Sequence, residues 1–249
     1  MNSMTRADFL KRLLAGAVGL PGLAALANDL DALRGDRVGW ARLKTSSPYW
    51  NRHSGSDPVL MKFFRDETTL NIDPIWYSAE VNNLAEMCKY PFLFSQGIGM
   101  VAEPAARRNV AEFIRRGGFL MLDACNHHDV TPDFDGFIRD QAAVFADALP
   151  EARMVQIPPT HEIFRCYFQI PDGRPPHTFM GGVYDARKAQ HGLNGMMIGR
   201  RMVAVVSVCG LQCGWDHVTA HPVVAPPGHD QECMRMLVNI YVYAMMQGA

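Results

Sequence analysis

The chain has 249 residues, of which 48% are hydrophobic and 20% are charged, a balance that is typical of a soluble globular protein. Its 24 basic and 25 acidic side chains leave a formal net charge of −1, and the basic residues form no long block. These values argue against nucleic acid as a partner, because proteins that bind it concentrate positive charge against the phosphates. The length suits one large domain or two small ones.

The first 27 residues have the order of a secretory signal peptide. A short basic segment precedes an apolar stretch at residues 13–26, and Ala25-Leu26-Ala27 is a small-residue cleavage signal. The apolar stretch is shorter than the roughly 20 residues that span a membrane. Residues 5–11 resemble a twin-arginine export signal in which Ala7 replaces the second arginine. We therefore expect a periplasmic or exported protein, with residues 1–27 acting as a signal peptide or as an N-terminal membrane anchor.

Hydrophobic periodicity divides the remainder of the chain, after a polar linker at residues 28–37, into alternating strands and helices. The pattern predicts strands at 38–44, 75–77, 91–99, 119–124, 154–157 and 202–208, and helices at 58–68, 84–89, 103–116, 136–149 and 230–246. Segments 166–199 and 209–229 show no regular pattern apart from the strand between them. Such alternation predicts a single α/β domain at residues 38–249, with a mainly parallel sheet covered by helices.

Two helix boundaries carry specific signals. Asp57 precedes Pro58, so Asp57 is the predicted N-cap and Pro58 the first helical residue. Gly117-Gly118 follows the helix predicted at 103–116, where glycine commonly ends a helix.

The segment from Gly117 to His128 carries the strongest concentration of reactive groups. An apolar strand ends in Asp123, Cys125, His127 and His128. Because ligands bind at the carboxyl ends of strands in open α/β sheets, this segment is the first candidate for a functional site.

Five short segments occur in the same order, and with the same residue types, in one bacterial family. They are Tyr90-Pro91-Phe92-Leu93-Phe94 with Gly97-Ile98-Gly99, Gly117 to Cys125, Pro158 to Phe164, Gly214-Trp215-Asp216, and Asn239 to Ala244. Together they resemble the bacterial domain of unknown function 4159 family. The resemblance implies a class I glutamine amidotransferase-like fold, which is a flavodoxin-like, three-layer α/β sandwich with a mainly parallel sheet. It implies no particular activity, so function has to be argued from the site.

The candidate catalytic residues are Asp123, Cys125 and His161. In glutamine amidotransferases a cysteine in a strand-to-helix turn acts with histidine and glutamate, and the resemblance places Asp123 nearest to that position. Cys125 comes two residues later, and the glycine pattern of the turn and a late His-x-Glu pair are both missing. The alternative for Asp123 is a carboxylate bonded to backbone N–H groups at a helix start.

Six further candidates concern ligand binding: Gly97, Gly99, His127, His128, Trp215 and Asp216. The glycine turn offers either N–H groups for an oxyanion or close packing over a strand end. No cofactor is predicted outright, but a transition metal such as zinc would suit Cys125, His127 and His161, with Cys213 and His217 as further donors. The alternatives are a solvated turn for His127 and His128, and a bond to nearby backbone for His161.

The six cysteines of an exported protein are able to form disulfides, although a domain of this size does not require them. Cys209 and Cys213 are the closest pair in sequence and the first candidates for a local bridge.

These observations favour an exported, non-catalytic ligand-binding or assembly subunit of a cell-envelope or membrane complex. Its partners would be a membrane protein of that complex, a small-molecule ligand, or both. The alternative is a metal-dependent or thiol hydrolase, or an amidotransferase-like enzyme, with its site at Asp123 and Cys125.

Overall fold

The computed structural model describes residues 37–99, 101–125, 133–176, 191–216 and 228–247. The predicted signal segment, nearly all of the linker, His127 and His128 lie outside these ranges. The described residues form seven strands, which we name in chain order β1 Val38–Lys44, β2 Ile72–Glu80, β3 Phe92–Ser95, β4 Phe119–Asp123, β5 Ala152–Gln156, β6 Leu193–Ile198 and β7 Arg201–Ser207. The α-helices are α1 Asp57–Glu67, α2 Leu84–Met87, α3 Pro104–Arg115, α4 Phe134–Ala148, α5 Leu211–Asp216 and α6 His229–Gln247.

The strands form one sheet in the order β2-β1-β3-β4-β7-β6-β5. The five strands from β2 to β7 pair in parallel, whereas β6 is antiparallel to both β7 and β5. The central strands are buried on both faces, and every residue of β3 and β4 is buried. The predicted α/β architecture with a mainly parallel sheet is therefore confirmed.

Helices cover both faces of the sheet. On one face α1, α5 and α6 pack around Trp40, which is fully buried and lies with its ring centroid 5.4 Å from those of Phe92 and Phe94. On the other face α3 and α4 contribute Val110, Phe113 and other apolar residues. Within the described ranges, no helix is both long and apolar enough to cross a membrane.

The Gly117-Gly118 pair does more than end a helix. Gly117 has a φ of +97°, which suits the turn out of α3. A Cβ at Gly118 would lie 2.4 Å from the Phe113 ring, so a side chain there would push α3 away from the start of β4. The two glycines therefore allow α3 to pack closely on the strand that leads to Asp123.

Two elements were missed by the sequence patterns. β6 contains Asn194 and Gly195, which are poor strand formers, and it is extended because β5 and β7 pair with it on both sides. The short helix α5 has no amphipathic repeat, and its first amides bond to Asp123, a residue 89 positions earlier than Gln212. Both elements depend on tertiary contacts rather than on local sequence.

The predicted N-cap role of Asp57 was wrong. The α-helix begins at Asp57 itself, and Ser56 is the N-cap residue, although its side chain does not cap a helix amide. The Asp57 carboxylate points to Arg42 instead, with consequences for the site described below.

Candidate functional site

Three potential metal ligands meet at the carboxyl edge of the sheet. His53 lies in the loop after β1, Cys125 follows β4, and Cys213 lies in α5 after β7. Cys125 Sγ is 3.7 Å from His53 Nε2 and 3.8 Å from Cys213 Sγ. All three ligand atoms lie within 4.8 Å of one another, and no other trio of His, Cys, Asp or Glu side chains in the described ranges does so. We name these three residues the thiol–imidazole cluster.

His53 occupies a constrained backbone position. Its φ of +62° lies in the left-handed region, where a non-glycine residue is uncommon. Its carbonyl accepts hydrogen bonds from the Ser56 amide at 3.1 Å and the Ser56 hydroxyl at 2.6 Å. Such a conformation persists only where surrounding contacts determine it, so the chain holds this imidazole in place at a cost in backbone strain.

The residue before His53 is held by three side chains from different elements. The Arg52 carbonyl accepts hydrogen bonds from Arg42 Nη1 at 3.2 Å, from Gln212 Nε2 at 2.7 Å and from Gln96 Nε2 at 3.4 Å. Gln96 also donates to Gln212 Oε1 at 2.8 Å. The ends of β1, β3 and β7 are therefore joined through a single carbonyl group next to the imidazole.

Arg42 is itself held by a buried ion pair. Its Nε and Nη2 each donate to Asp57 at 2.6 Å, in a two-pronged arrangement in which both side chains are fully buried. Trp40 Nε1 adds a hydrogen bond to the same carboxylate at 3.3 Å. The guanidinium lies 5.1 Å from the centroid of the Phe94 ring, where a cation and an aromatic face attract each other.

Asp123 bonds the end of β4, which leads to Cys125, to the start of α5, which carries Cys213. Its carboxylate accepts hydrogen bonds from the backbone amides of Gly210 at 3.2 Å and Gln212 at 2.9 Å, at the start of the helix that carries Cys213. Asp123 is 1% exposed, and Cys125 follows it by two residues. The carboxylate therefore fixes the position of α5 relative to the end of β4. This is the alternative that the sequence offered for Asp123, a carboxylate bonded to backbone N–H groups at a helix start.

The Gly97-Ile98-Gly99 turn is packed under α4. The Ile98 amide donates to Gln141 Oε1 at 2.6 Å, and Gly97 N donates to the Ser95 hydroxyl at 3.2 Å. A Cβ at Gly97 would lie 2.7 Å from the Phe137 ring. Two of the turn's N–H groups thus have intramolecular partners, and its glycines permit close packing.

A family model described as "Domain of unknown function (DUF4159)" matches residues 40–245. The chain belongs to this family. The resemblance inferred from five sequence motifs is therefore confirmed, and the matched range includes all three members of the thiol–imidazole cluster. No curated protein matches this family member in sequence.

His161 does not join the cluster in this family member. Its Nδ1 accepts a hydrogen bond from the Ile163 amide at 3.1 Å, and its ring contacts Tyr243 edge-on with centroids 5.2 Å apart. Burial lowers the pKa of His161, mainly by removing water from the charged form. The structure thus places His161 at the start of a 3₁₀ turn, Glu162–Phe164, where it bonds to nearby backbone.

The remaining candidates are dispersed. Trp215 is fully buried in the core, edge-on to Trp40 and Phe94 with ring centroids 6.4 and 6.0 Å away. Asp216 is the last residue of α5, and its side chain lies outside what the structure describes, as do His127 and His128.

Two members of the cluster are not among the principal site residues predicted from the sequence. The sequence patterns do not single out His53, and they indicate Cys213 only as a further metal donor or as the partner of Cys209. In the structure Cys209 and Cys213 form no disulfide; Cys213 Sγ lies 3.8 Å from Cys125 Sγ, and Cys209 Sγ lies 3.8 Å from the Gly192 carbonyl. The sequence does contain a pattern that points to both residues. His53 and Cys213 each follow a predicted strand, and segments that follow parallel strands meet at one edge of the sheet.

A cleft of about 300 Å³ opens at the same edge of the sheet. It lies between the ends of β1 and β2 and the start of α3, and its lining includes Lys44 and Glu80, which form an ion pair at 2.6 Å. The edge of the sheet that holds the cluster therefore also has room for a small molecule.

Proposed function

We propose that this protein is an exported, ligand-binding member of its family, and that the thiol–imidazole cluster is its binding centre. The observation that carries this proposal is the convergence of His53, Cys125 and Cys213 within 4.8 Å at the carboxyl edge of the sheet. Binding at this edge is the general behaviour of open α/β sheets. A role as an assembly subunit of a cell-envelope or membrane complex belongs to the same proposal.

The state of the other candidate groups supports binding rather than covalent catalysis. The carboxylate of Asp123 is buried and bonded to two backbone amides, and two amides of the glycine turn donate to Ser95 and Gln141. Cys125 is 1% exposed, which restricts approach of a substrate to its sulfur. These bonds use the Asp123 carboxylate and the Gly97 and Ile98 amides to hold the site in place rather than as a general acid or as oxyanion donors.

A second candidate function is thiol catalysis by Cys125. It is favoured by the 3.7 Å contact between the Cys125 sulfur and His53 Nε2, since a nearby imidazole is the usual base for a cysteine nucleophile. Hydrolysis or amide transfer would follow from that pair.

The rate of alkylation by iodoacetamide at pH 7 separates the two functions. If the cluster is a binding centre, Cys125 reacts more slowly than a small thiol with a pKa of about 8.5. If it is a nucleophile, Cys125 reacts faster than that thiol and slows in His53→Gln. Cys166 is an internal reference for a slow thiol, because burial raises its pKa to about 12. Fast, His53-dependent labelling of Cys125, measured by peptide mass spectrometry, contradicts the binding proposal.

We also propose the flavodoxin-like, class I glutamine amidotransferase-like form of the fold. The parallel order β2-β1-β3-β4-β7 supports it, because it follows the 2-1-3-4-5 order of flavodoxin-like sheets with β7 in the fifth place. The antiparallel strands β6 and β5 extend that sheet on one side. An experimental structure with a different strand order would contradict this assignment.

Export of the protein is supported by the signal-like order of residues 1–27. We expect the protein in the periplasm or at the membrane surface, either shortened by about 27 residues or retained through that segment. Cell fractionation followed by intact-mass measurement checks this expectation. Recovery of the full-length chain from the cytoplasm alone would rule out export.

A further inference from the structure

We propose that the ligand of the thiol–imidazole cluster is a single zinc ion bound by His53 Nε2, Cys125 Sγ and Cys213 Sγ. This inference rests on the proposed function, because it names the chemical class of ligand for the same binding centre. Zinc combines readily with thiolate sulfur and imidazole nitrogen, and sites with three protein ligands leave a fourth position for water or another ligand.

Two of the three donor separations match those expected for this ion, and the third, between Cys213 Sγ and His53 Nε2, is at most 4.8 Å. A tetrahedral zinc with Zn–S bonds of about 2.3 Å and Zn–N bonds of about 2.0–2.1 Å separates two sulfurs by about 3.8 Å, and sulfur from nitrogen by about 3.6 Å. The observed separations are 3.8 Å between the sulfurs and 3.7 Å between Cys125 Sγ and His53 Nε2. A disulfide would instead need the sulfurs about 2.05 Å apart.

A second Cys–His contact in the chain shows which feature distinguishes the cluster. Cys233 Sγ also lies 3.7 Å from His229 Nε2, on adjacent turns of α6. That pair forms part of no three-ligand group in the described ranges. A cysteine–histidine distance of 3.7 Å is therefore not enough to indicate a metal site. The feature that favours a metal site at Cys125 is the second thiol, that of Cys213.

The surroundings of the cluster hold its donors in position before an ion binds. Gln212 precedes Cys213, donates its backbone amide to Asp123, and donates its side-chain amide to the Arg52 carbonyl. One residue thus joins the segments that carry all three ligands. Outer groups that orient metal ligands in this way contribute strongly to affinity.

Charge balance also favours a divalent ion. Zinc binds cysteine as thiolate, so Cys125 and Cys213 would contribute two negative charges in a buried place. Two uncompensated thiolates there would be costly, whereas two thiolates and one Zn²⁺ sum to zero. His53 binds as neutral imidazole and leaves this balance unchanged.

Titration of the reduced, full-length protein with Zn²⁺ against a chromophoric chelator tests the proposal. We expect one equivalent to bind. Cys125→Ser, Cys213→Ser and His53→Gln should each weaken binding by more than the roughly 10–100-fold that loss of an outer partner costs. Cobalt(II) provides a second measurement, because its thiolate charge-transfer absorption should fall by about half in each cysteine variant, according to the two Co–S bonds expected for this site.

Cys233→Ser and His229→Gln are the matched controls, since they remove a cysteine–histidine contact of the same length. Zinc stoichiometry and affinity should be unchanged in both. Far-UV circular dichroism of every variant separates loss of ligand from loss of fold. If a site variant does not fold, zinc-dependent protection of Cys125 and Cys213 from alkylation in the wild-type protein gives the answer.

Less than about a tenth of an equivalent of zinc on the reduced wild-type protein would overturn the proposal, as would unaltered binding in both cysteine variants. Preference for copper(I) over zinc would overturn the identity of the ion. These results are distinct from a failure of the proposed function, which shows itself as fast, His53-dependent alkylation of Cys125. A protein with a slow Cys125 and no zinc affinity would retain the binding role and refute only the metal.

Discussion

Replacement of Asp57 by asparagine is expected to lower the free energy of unfolding by about 3–5 kcal/mol. The variant keeps the shape of the side chain but leaves the Arg42 guanidinium, which is fully buried, without its counter-charge. Arginine does not lose its proton in proteins, so the charge stays in the core and its desolvation is no longer offset. Urea unfolding followed by circular dichroism measures the change.

A surface pair on the same helix provides the control for this prediction. Asp66 pairs with Lys62 one turn away on α1, and both side chains are largely exposed. Asp66→Asn should therefore change the free energy of unfolding by no more than about 0.5 kcal/mol. Equal effects of Asp57→Asn and Asp66→Asn would show that the buried pair does not support the fold as described.

The double variant Arg42→Met with Asp57→Leu tests the physical reason. It removes both charges and fills similar volume, so it should be considerably more stable than Asp57→Asn. It also removes the Arg42 donor to the Arg52 carbonyl next to His53. We therefore expect the double variant to recover stability while its zinc affinity stays below that of the wild-type protein.

Much of the fold could be predicted because it follows from local patterns. The helix predicted at residues 103–116 is α3, and the strand predicted at 38–44 coincides with β1, since apolar periodicity and the glycines after α3 are properties of contiguous sequence. β6 and α5 could not be found in this way. A strand containing Asn194 and Gly195 is extended only because its neighbours pair with it, and α5 depends on a carboxylate from another strand.

The site could be predicted only in part, for a related reason. Cys125 was selected because it ends an apolar strand, but the histidine and cysteine that contact it lie 72 and 88 residues away in the sequence. Those contacts exist because β7 pairs with β4 and the loop after β1 reaches the same edge. Strand order is a tertiary property, so sequence reasoning favoured the nearby His127 over His53. Asp57 shows the same effect: its local pattern predicted a helix cap, while its partner Arg42 lies on a different element.

Replacement of Asp123 by asparagine is the second large effect that we expect. The asparagine oxygen can accept from one of the two amides, Gly210 N or Gln212 N, while its own NH₂ group faces the other. A buried amide without an acceptor costs about 1–3 kcal/mol, so the free energy of unfolding should fall by that amount. Because Asp123 fixes α5 against the end of β4, zinc affinity should also fall by about 10–100-fold.

Asp73→Leu separates these two consequences. Asp73 is 5% exposed and accepts hydrogen bonds from the Ile75 amide at 3.2 Å and the Tyr77 hydroxyl at 2.7 Å. It lies near the amino end of β2, whereas the thiol–imidazole cluster lies at the carboxyl edge of the sheet. Leucine removes both acceptors, so the replacement should lower stability to a comparable degree and leave zinc affinity unchanged. If both variants weaken zinc binding equally, the effect of Asp123 reflects general destabilisation; if only Asp123→Asn does so, the carboxylate positions the two thiols.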